Sequence, residues 1–317
     1  MKLKRYGSVL ESKREGIGAI FNCGATEYDG CIYLLPRVIK KGYTKKEKGY
    51  GYKNYISEIW LAKSDDGKDF ILLRPFIKPD KPYDIYGCED ARVTKLDDEY
   101  LILYTALLEP AFSGKGGRIG FVSTKDFFKV EKHGIIGPNV EDKDAVIFPE
   151  KINGKIVVLH RIESNIQIMY FDDIEQLKEN HDDKFWKKYQ RELDQYVVLE
   201  RRYKWESKKI GAGIPPIKTE EGWLLIYHGV DENIIYRAGA VLLDLDSPQE
   251  VIARPTKPIL EPEMDYERIG DIPNVVFPEG AVVKEGELFV YYGAADKRCC
   301  LATCGLDDLV DFLVKEK

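Results

Sequence analysis

A short sequence pattern returns five times along the 317-residue chain, and this repetition limits the fold more than any other feature. Each copy has small or apolar residues, then a polar turn with Gly or Asp, then an alternating apolar run that usually ends in Tyr or His. Successive copies begin roughly 60 to 65 residues apart, a period typical of repeat architectures. The copies cover residues 24–35, 90–104, 148–160, 214–228 and 277–292.

Each copy predicts a strand, a tight turn and a second strand, because alternating β-rich runs bounded by Gly, Asn and Asp are typical of β-hairpins. A weaker third and fourth strand follows most copies, as in residues 119–123 and 128–130. Four strands in each of five units predict an all-β fold, a five-bladed β-propeller that takes up residues 1–317 as one domain. Equivalent positions of all blades meet around the funnel of a propeller, so residues far apart in sequence can bind one small ligand.

Two segments depart from the blade pattern. Residues 174–200, with Trp186 and Tyr189 on one helical face, predict a short helical excursion from the third blade that packs at the rim or binds a partner. Residues 307–317 predict a C-terminal helix, because acidic residues occupy its first turn and lysines its end. Its apolar stripe suits docking within the chain and docking against a second copy in a homo-oligomer equally well. The stripe consists of Leu309, Val310, Leu313 and Val314.

Charge and composition exclude several classes of partner. A net charge of −6 argues against nucleic acid, which needs a concentrated basic face. The sequence has no apolar run long enough to cross a membrane, and charges interrupt the first 13 residues, so we expect a cytoplasmic protein without an export signal. The six cysteines form no regular framework, and the pair Cys300 and Cys304 has no nearby His or second Cys pair. We therefore expect reduced thiols and no metal site.

Two carboxylates stand side by side where an inner strand is predicted to begin, in the segment Gly87–Arg92. Because adjacent strand residues point to opposite faces, only one of Glu89 and Asp90 should face the funnel. A carboxyl group held among apolar strands can act as a general acid when its pKa is raised. The alternative interpretation is an acidic pair that stabilises the turn through a salt bridge to Arg92.

Basic side chains and histidines recur at blade-equivalent places. On a single strand each would be a solvated surface charge, but a propeller brings such positions together. Converging cations repel one another unless an anion is bound among them, so the pattern indicates a site for phosphate or carboxylate. The pairs are Lys143-Asp144, His160-Arg161, Lys208-Lys209 and Tyr227-His228.

Aromatic and polar side chains near the predicted strand ends suit a sugar, whose ring offers both C–H faces and hydroxyl groups. Each such residue alone is more often structural, but an acid, an anion site and sugar-binding groups together point to carbohydrate chemistry. The aromatic set is Tyr104, Tyr227, Tyr236, Tyr291 and Tyr292, and the polar set is Asn22, Arg37 and Asp296.

The chain resembles glycoside hydrolase family 130, which comprises β-mannoside phosphorylases and related β-mannosidases. The matching stretches follow the family order along nearly the whole chain, and the resemblance independently implies a five-bladed propeller. Ala91 is a departure, since many members have Pro there, and it should affect local rigidity more than chemistry. The stretches are residues 21–25, 35–38, 87–93, 143–150, 159–161, 205–211, 215–216, 227–230, 236–240, 273–278 and 293–296.

The resemblance implies an inverting phosphorolysis, in which inorganic phosphate attacks the anomeric carbon of a β-mannoside and releases α-mannose 1-phosphate. Asp90 matches the family's proton donor, which is thought to act through the 3-hydroxyl of the sugar. Phosphate is then a co-substrate, and no cofactor or metal is implied. The phosphate-binding matches are Lys143, Arg161, Lys209, His228 and Tyr236, and those for the mannosyl unit are Asn22, Arg37, Asp144 and Asp296.

The basic residues favour phosphate over water as the nucleophile. An inverting hydrolase needs a second carboxylate that activates water, whereas a phosphorylase needs cations that hold an anion. The resemblance is nearest to members that act on β-1,2-mannobiose or short β-1,2-mannooligosaccharides. Three alternatives remain: a phosphorylase of β-1,4-mannosides, a β-mannosidase, and a non-catalytic carbohydrate-binding propeller. The loops at 41–54 and 111–117 should shape the acceptor side.

Overall fold

The computed structural model describes residues 1–162, 164–179 and 182–316. Strands dominate these ranges, and they associate into five sheets and one short hairpin. The strands are β1 (Lys4–Leu10), β2 (Ile17–Tyr28), β3 (Cys31–Lys40), β4 (Thr44–Lys45), β5 (Tyr52–Lys53), β6 (Ser57–Ser64), β7 (Ile71–Ile77), β8 (Cys88–Leu96), β9 (Glu99–Leu107), β10 (Gly117–Thr124), β11 (Glu131–Ile136), β12 (Lys143–Ile147), β13 (Ile156–Arg161), β14 (Ile166–Phe171), β15 (Val197–Leu199), β16 (Lys209–Ala212), β17 (Ile217–Lys218), β18 (Trp223–Val230), β19 (Tyr236–Leu243), β20 (Val251–Ala253), β21 (Val276–Lys284), β22 (Glu287–Ala294) and β23 (Arg298–Gly305). The helices are α1 (Ile174–Glu179), α2 (Asp183–Arg191), α3 (Asp265–Arg268) and α4 (Leu306–Lys315).

The five sheets are the blades of the predicted propeller, which is confirmed. Blades 1 to 4 have the strand orders β2-β3-β6-β7, β8-β9-β10-β11, β12-β13-β14-β15 and β16-β18-β19-β20, with β17 also paired to β18. Blade 5 has the order β21-β22-β23-β1, so the N-terminal strand is its outermost member and closes the ring. The first strand of each blade contacts the neighbouring blades, and the apolar core lies between the sheets.

Bulges interrupt the innermost strands of four blades. The pairing register shifts at Asn22 in β2, Asp90 in β8, Asp144 in β12 and Glu279 in β21. Asn22, Asp90 and Asp144 have φ values of 47°, 56° and 56°. Asn and Asp adopt this left-handed conformation more readily than other non-glycine residues, which explains their place at these bulges.

The helical excursion is confirmed, with α1 and α2 inside residues 174–200. Residues 180 and 181 of the predicted excursion lie outside the described residues. Trp186 and Tyr189 are buried in the core between blades 2 and 3, so this face packs within the chain. The end of the segment is β15, the fourth strand of blade 3.

The prediction of a fourth strand at residues 128–130 is wrong, because these residues lie just before β11. Asp126 accepts hydrogen bonds from the amides of Phe128 and Lys129, and Thr124 accepts one from Phe127. These side-chain hydrogen bonds hold the segment as a turn, so the strand begins only at Glu131.

The C-terminal helix is also confirmed, as α4, although residue 317 of the prediction lies outside the described residues. Leu309, Val310 and Leu313 are buried against the core shared by blades 4 and 5, whereas Val314 is 40% exposed. Three of the four predicted apolar positions therefore dock within the chain.

No helix in the described part of the chain is long and apolar enough to cross a membrane. All six cysteines lie in that part and are free, and four of them are buried. Within the same residues, no group of three His, Cys, Asp or Glu side chains is arranged to hold a metal ion.

The docking of α4 predicts how two neighbouring substitutions should differ. Leu313→Ala should lower the free energy of unfolding by about 2–5 kcal/mol, because it leaves a cavity in the core. Val314→Ala removes an exposed side chain and should change it by less than about 0.5 kcal/mol. Urea unfolding of both variants provides the measurement. Equal effects of the two substitutions would contradict the docking of this helix on the blades.

Candidate active site

One pocket at the funnel contains all ten residues that the family resemblance matched to catalytic and binding positions. Its volume is about 320 Å³, and every blade contributes to its wall. The ten are Asn22 and Arg37 from blade 1, Asp90 from blade 2, Lys143, Asp144 and Arg161 from blade 3, Lys209, His228 and Tyr236 from blade 4, and Asp296 just after β22 in blade 5.

An acidic pair forms one side of the pocket. Asp90 Oδ1 accepts hydrogen bonds from Asn22 Nδ2 at 2.9 Å and from Arg37 Nη1 at 3.3 Å, while Arg37 Nη2 pairs with Glu89. Burial raises the pKa of Glu89, with Arg37 opposing the rise and the neighbouring Asp90 adding to it. Both bonds to Asp90 are made by Oδ1, which leaves Oδ2 for a ligand.

The geometry of this pair corrects two expectations. Both Glu89 and Asp90 line the pocket, although strand alternation predicted that only one would. The bulge at Asp90 cancels the alternation, because it inserts an extra residue into the strand. The proposed salt bridge of the pair to Arg92 is wrong as well, since Arg37 holds both carboxylates.

A cation-rich side faces this acidic pair, and we call it the anion cradle. It is defined as Lys143, Arg161, Lys209, His228 and Tyr236. Lys209 Nζ lies 5.5 Å from the centre of the Tyr236 ring. Burial lowers the pKa of His228 to about 3, so its imidazole is neutral near pH 7. Neutral His228 can still donate one N–H, and its Nδ1 has no hydrogen-bond partner within the described structure.

Asp144 forms the floor of the anion cradle. Its Oδ2 accepts a hydrogen bond from Arg161 Nε at 2.6 Å and lies 3.6 Å from His228 Nε2. Burial opposes ionisation, but Arg161, His228 and Arg92 together hold the pKa of Asp144 well below its usual range. Gly211 provides the space for this contact, because a Cβ there would lie 2.4 Å from Asp144 Oδ2.

Arg92 lies beneath the pocket floor and connects several blades. Its side chain is 1% exposed and donates to the carbonyl oxygen of Asp90 at 2.8 Å, to that of Gly213 at 3.3 Å and to Asp144 Oδ1 at 3.3 Å. The carboxyl group of Glu279 lies 3.6 Å away and is fully buried without a hydrogen bond to any described residue. Burial, together with Asp90, raises the pKa of Glu279 well above its usual value. Arg92 thus ties the bulge of Asp90 to the floor of the anion cradle.

Several residues of the predicted constellations lie elsewhere. His160 points into blade 3, where it contacts Asp142 at 2.8 Å and Tyr189 at 2.7 Å. Among the five tyrosines, only Tyr236 lines the pocket. The other four are buried, and their hydroxyl groups bond to structural partners: Tyr104 to Asp84, Tyr227 to Glu206, Tyr291 to the Gly67 carbonyl and Tyr292 to Glu267.

The sequence indicated which loops border the pocket but not which of their side chains form its walls. Tyr50, from the turn between β4 and β5, and Phe112, from the loop between β9 and β10, both line the pocket. Phe112 has φ of 63°, and its ring packs over Gly51. The expectation that the loops at 41–54 and 111–117 border the site agrees with these positions. Glu141 lines the pocket too, and its place two residues before Lys143 could have indicated this.

A five-bladed propeller whose funnel holds an acidic pair opposite a cluster of cations is a scaffold for an enzyme that acts on polar, anionic and sugar-like ligands. A family model described as glycoside hydrolase family 130, β-1,4-mannooligosaccharide phosphorylase, matches residues 5–315. The chain therefore belongs to glycoside hydrolase family 130, and the resemblance drawn from its sequence is confirmed.

Individual relatives cover almost the whole chain. The 1,2-β-oligomannan phosphorylase of Thermoanaerobacter sp. (strain X514) is 39% identical over 318 residues, 98% of this chain and 99% of the relative. A β-1,2-mannobiose phosphorylase of the same organism is 40% identical over 285 residues, 88% of this chain and 87% of the relative. The solved complex of β-1,2-mannobiose phosphorylase from Listeria innocua with β-1,2-mannobiose has a TM-score of 0.83 at 31% identity and covers 100% of both chains.

Asp296 supplies a pH-dependent prediction. Burial raises its pKa to about 7, with Arg37 opposing the rise and Asp90 adding to it. The unfolded carboxyl group ionises near pH 4, so its contribution to the free energy of unfolding is lost as the pH rises from about 4 through 7. The asparagine variant does not carry this cost. The difference in the free energy of unfolding between Asp296→Asn and wild type should therefore be about 2–4 kcal/mol more in favour of the variant at pH 8 than at pH 4.

Urea unfolding at both pH values measures this difference. Asp97→Asn is the matched control, because Asp97 has a similar φ of 52° but is exposed in a turn. If the Asp296→Asn difference were the same at pH 4 and pH 8, the raised pKa of Asp296 would be excluded.

Proposed function

We propose that this protein catalyses the inverting phosphorolysis of β-mannosides, giving α-D-mannose 1-phosphate and a shortened acceptor. The observation that carries the proposal is the presence of Asp90 and the anion cradle in one cavity of about 320 Å³. A cavity of this size accommodates a sugar ring beside a phosphate. The names of the most similar relatives support the same reaction.

The proposed reaction is a single displacement. A phosphate oxygen forms a bond to the anomeric carbon from the side of the anion cradle, and the bond to the glycosidic oxygen breaks on the opposite side. The electron pair goes to the leaving oxygen, which takes the proton that Asp90 supplies, through the 3-hydroxyl of the sugar as the family resemblance implies. Attack opposite the leaving group converts the β-linkage into an α-phosphate.

Phosphate is a better nucleophile here than water. An inverting hydrolase needs an available carboxylate on the face opposite the acid. Two carboxylates lie on the cradle side. Asp144 is bonded to Arg161 and Arg92 and is 3% exposed, so it is poorly placed to activate water. Glu141 is paired with Lys143, and despite burial Lys143 and the Gly117 amide hold its pKa below the usual value, so it is a weak base. Prepositioned cations in a cavity with little water instead stabilise an incoming anion. The scheme requires no metal or cofactor.

The substrate we propose is β-1,2-mannobiose or a short β-1,2-mannooligosaccharide, in a cytoplasmic enzyme. Two relatives and one structural neighbour named above act on β-1,2-linked compounds by their names, while the family model names β-1,4-linked ones. Incubation with α-mannose 1-phosphate and mannose tests the choice through the linkage of the product. A β-1,4-linked disaccharide would overturn the linkage, and release of free mannose from a β-mannoside without phosphate would overturn phosphorolysis.

Asp90→Asn should reduce kcat for phosphorolysis by at least about 100-fold, because the amide cannot supply the proton. The fold should be retained, since Asn also tolerates the left-handed backbone at this bulge. Release of α-mannose 1-phosphate is the measurement, with circular dichroism as the control for folding. A folded variant with the wild-type rate would remove Asp90 from the mechanism.

Lys209→Ala should raise the apparent KM for phosphate by about 10–100-fold with a smaller fall in kcat, because a charged contact to the nucleophile is lost. Arg161→Ala should act in the same direction. Lys208→Ala is the matched control, since Lys208 is exposed and does not line the pocket. Initial rates at varied phosphate give both constants. An unchanged phosphate dependence in both cradle variants would contradict the anion cradle.

A further inference from the structure

A carboxylate stands at the rim of the anion cradle. Glu141 Oε1 lies 3.0 Å from Lys143 Nζ, and Glu141 Oε2 accepts a hydrogen bond from the Gly117 amide at 2.7 Å. Its side chain is 28% exposed and lines the same pocket as the cradle residues. Glu141 is therefore held at a defined place and remains accessible to a ligand.

Glu141 does not raise the affinity of the cradle for anions in general. Its charge repels any anion bound next to Lys143, and it also compensates part of the charge of that lysine. Burial opposes ionisation of Glu141, but Lys143 and the Gly117 amide hold its pKa below the usual value. The carboxylate is thus negatively charged at neutral pH.

A negatively charged hydrogen-bond acceptor allows a site to discriminate between a protonated and a fully deprotonated anion. Phosphate and sulfate are both tetrahedral oxyanions of similar size, and cations attract both. Near neutral pH, however, phosphate keeps at least one P–OH group that can donate a hydrogen bond, whereas sulfate is fully deprotonated and only accepts. Placed beside a carboxylate, phosphate gains a hydrogen bond, while sulfate meets an unpaired negative charge.

Other carboxylates of the pocket are less suited to this role. Asp144 is only 3% exposed, whereas the Glu141 side chain is 28% exposed, and the Asp144 oxygens accept hydrogen bonds from the buried side chains of Arg161 and Arg92. Glu89 and Asp90 are held by Arg37 on the acidic side, where the sugar is expected. Asp296 interacts electrostatically with the same three groups and belongs to that side as well. Glu141 is the accessible carboxylate that contacts a cradle cation directly.

We propose that Glu141 makes the anion cradle selective for phosphate over sulfate by accepting a hydrogen bond from the P–OH group of the bound anion. The proposal rests on the proposed function, because it takes the cradle to be the site of the phosphate co-substrate. It assigns Glu141 to specificity and gives it no part in proton transfer to the leaving group. Arsenate, which also keeps a proton near neutral pH, should be accepted as phosphate is.

The test is calorimetric titration of the intact protein with phosphate, sulfate and arsenate at pH 7. Wild type should bind phosphate and arsenate at least about tenfold more tightly than sulfate, as expected when a site contains an acceptor that one ligand cannot satisfy. In Glu141→Gln the preference should fall to about twofold or less, mainly through tighter sulfate binding. The amide keeps an oxygen that can accept from Gly117, so the loop should stay in place. Glu150→Gln is the matched control, because Glu150 pairs with Lys218 outside the pocket.

The possible results separate this inference from the proposed function. If wild type binds phosphate but Glu141→Gln keeps the same preference over sulfate, the role of Glu141 is wrong and phosphorolysis is unaffected. If wild type binds none of the three anions, the assignment of the cradle as an anion site is wrong and both proposals fail. A smaller preference for phosphate over sulfate, together with retained phosphate binding, supports the role of Glu141. Loss of a purely structural contact would instead weaken the binding of all three anions alike.

Discussion

The pocket depends on a backbone constraint, the left-handed residue at the bulge of an innermost strand. Asn22, Asp90 and Asp144 occupy this conformation in three consecutive blades. Without the bulge, strand alternation would send each of these side chains to a different face of its blade. Arg92 then connects two of the bulges from below, through the carbonyl oxygen of Asp90 and the carboxylate of Asp144. The backbone conformation at the bulges therefore determines which side chains can take part in the chemistry of the pocket.

Charge is balanced separately on the two sides of the pocket. Arg37 compensates the acidic pair, while Asp144 and Glu141 compensate cations of the anion cradle. Burying an uncompensated charge would cost several kcal/mol, so this pairing allows so many ionisable groups to share one cavity. Neutral His228 reduces the repulsion further, because it offers a hydrogen bond without adding a charge.

The sequence was sufficient to predict the architecture and to place ten matched residues in one pocket, because blade repeats and family motifs are both local patterns. It failed where tertiary geometry overrides a local rule. Alternation placed only one of Glu89 and Asp90 in the funnel, and the bulge brings in both. His160 and Tyr227 belong to recurring motif pairs yet point into blades. The walls made by Tyr50 and Phe112 depend on loop conformations that no periodicity encodes.

The pairing of β1 with β23 joins the two ends of the folded chain in a single blade. Contacts of such high sequence separation form late, because closing a long loop costs conformational entropy before the contacts repay it. Since the funnel draws on all five blades, the complete ligand site should form only when this pairing closes the ring.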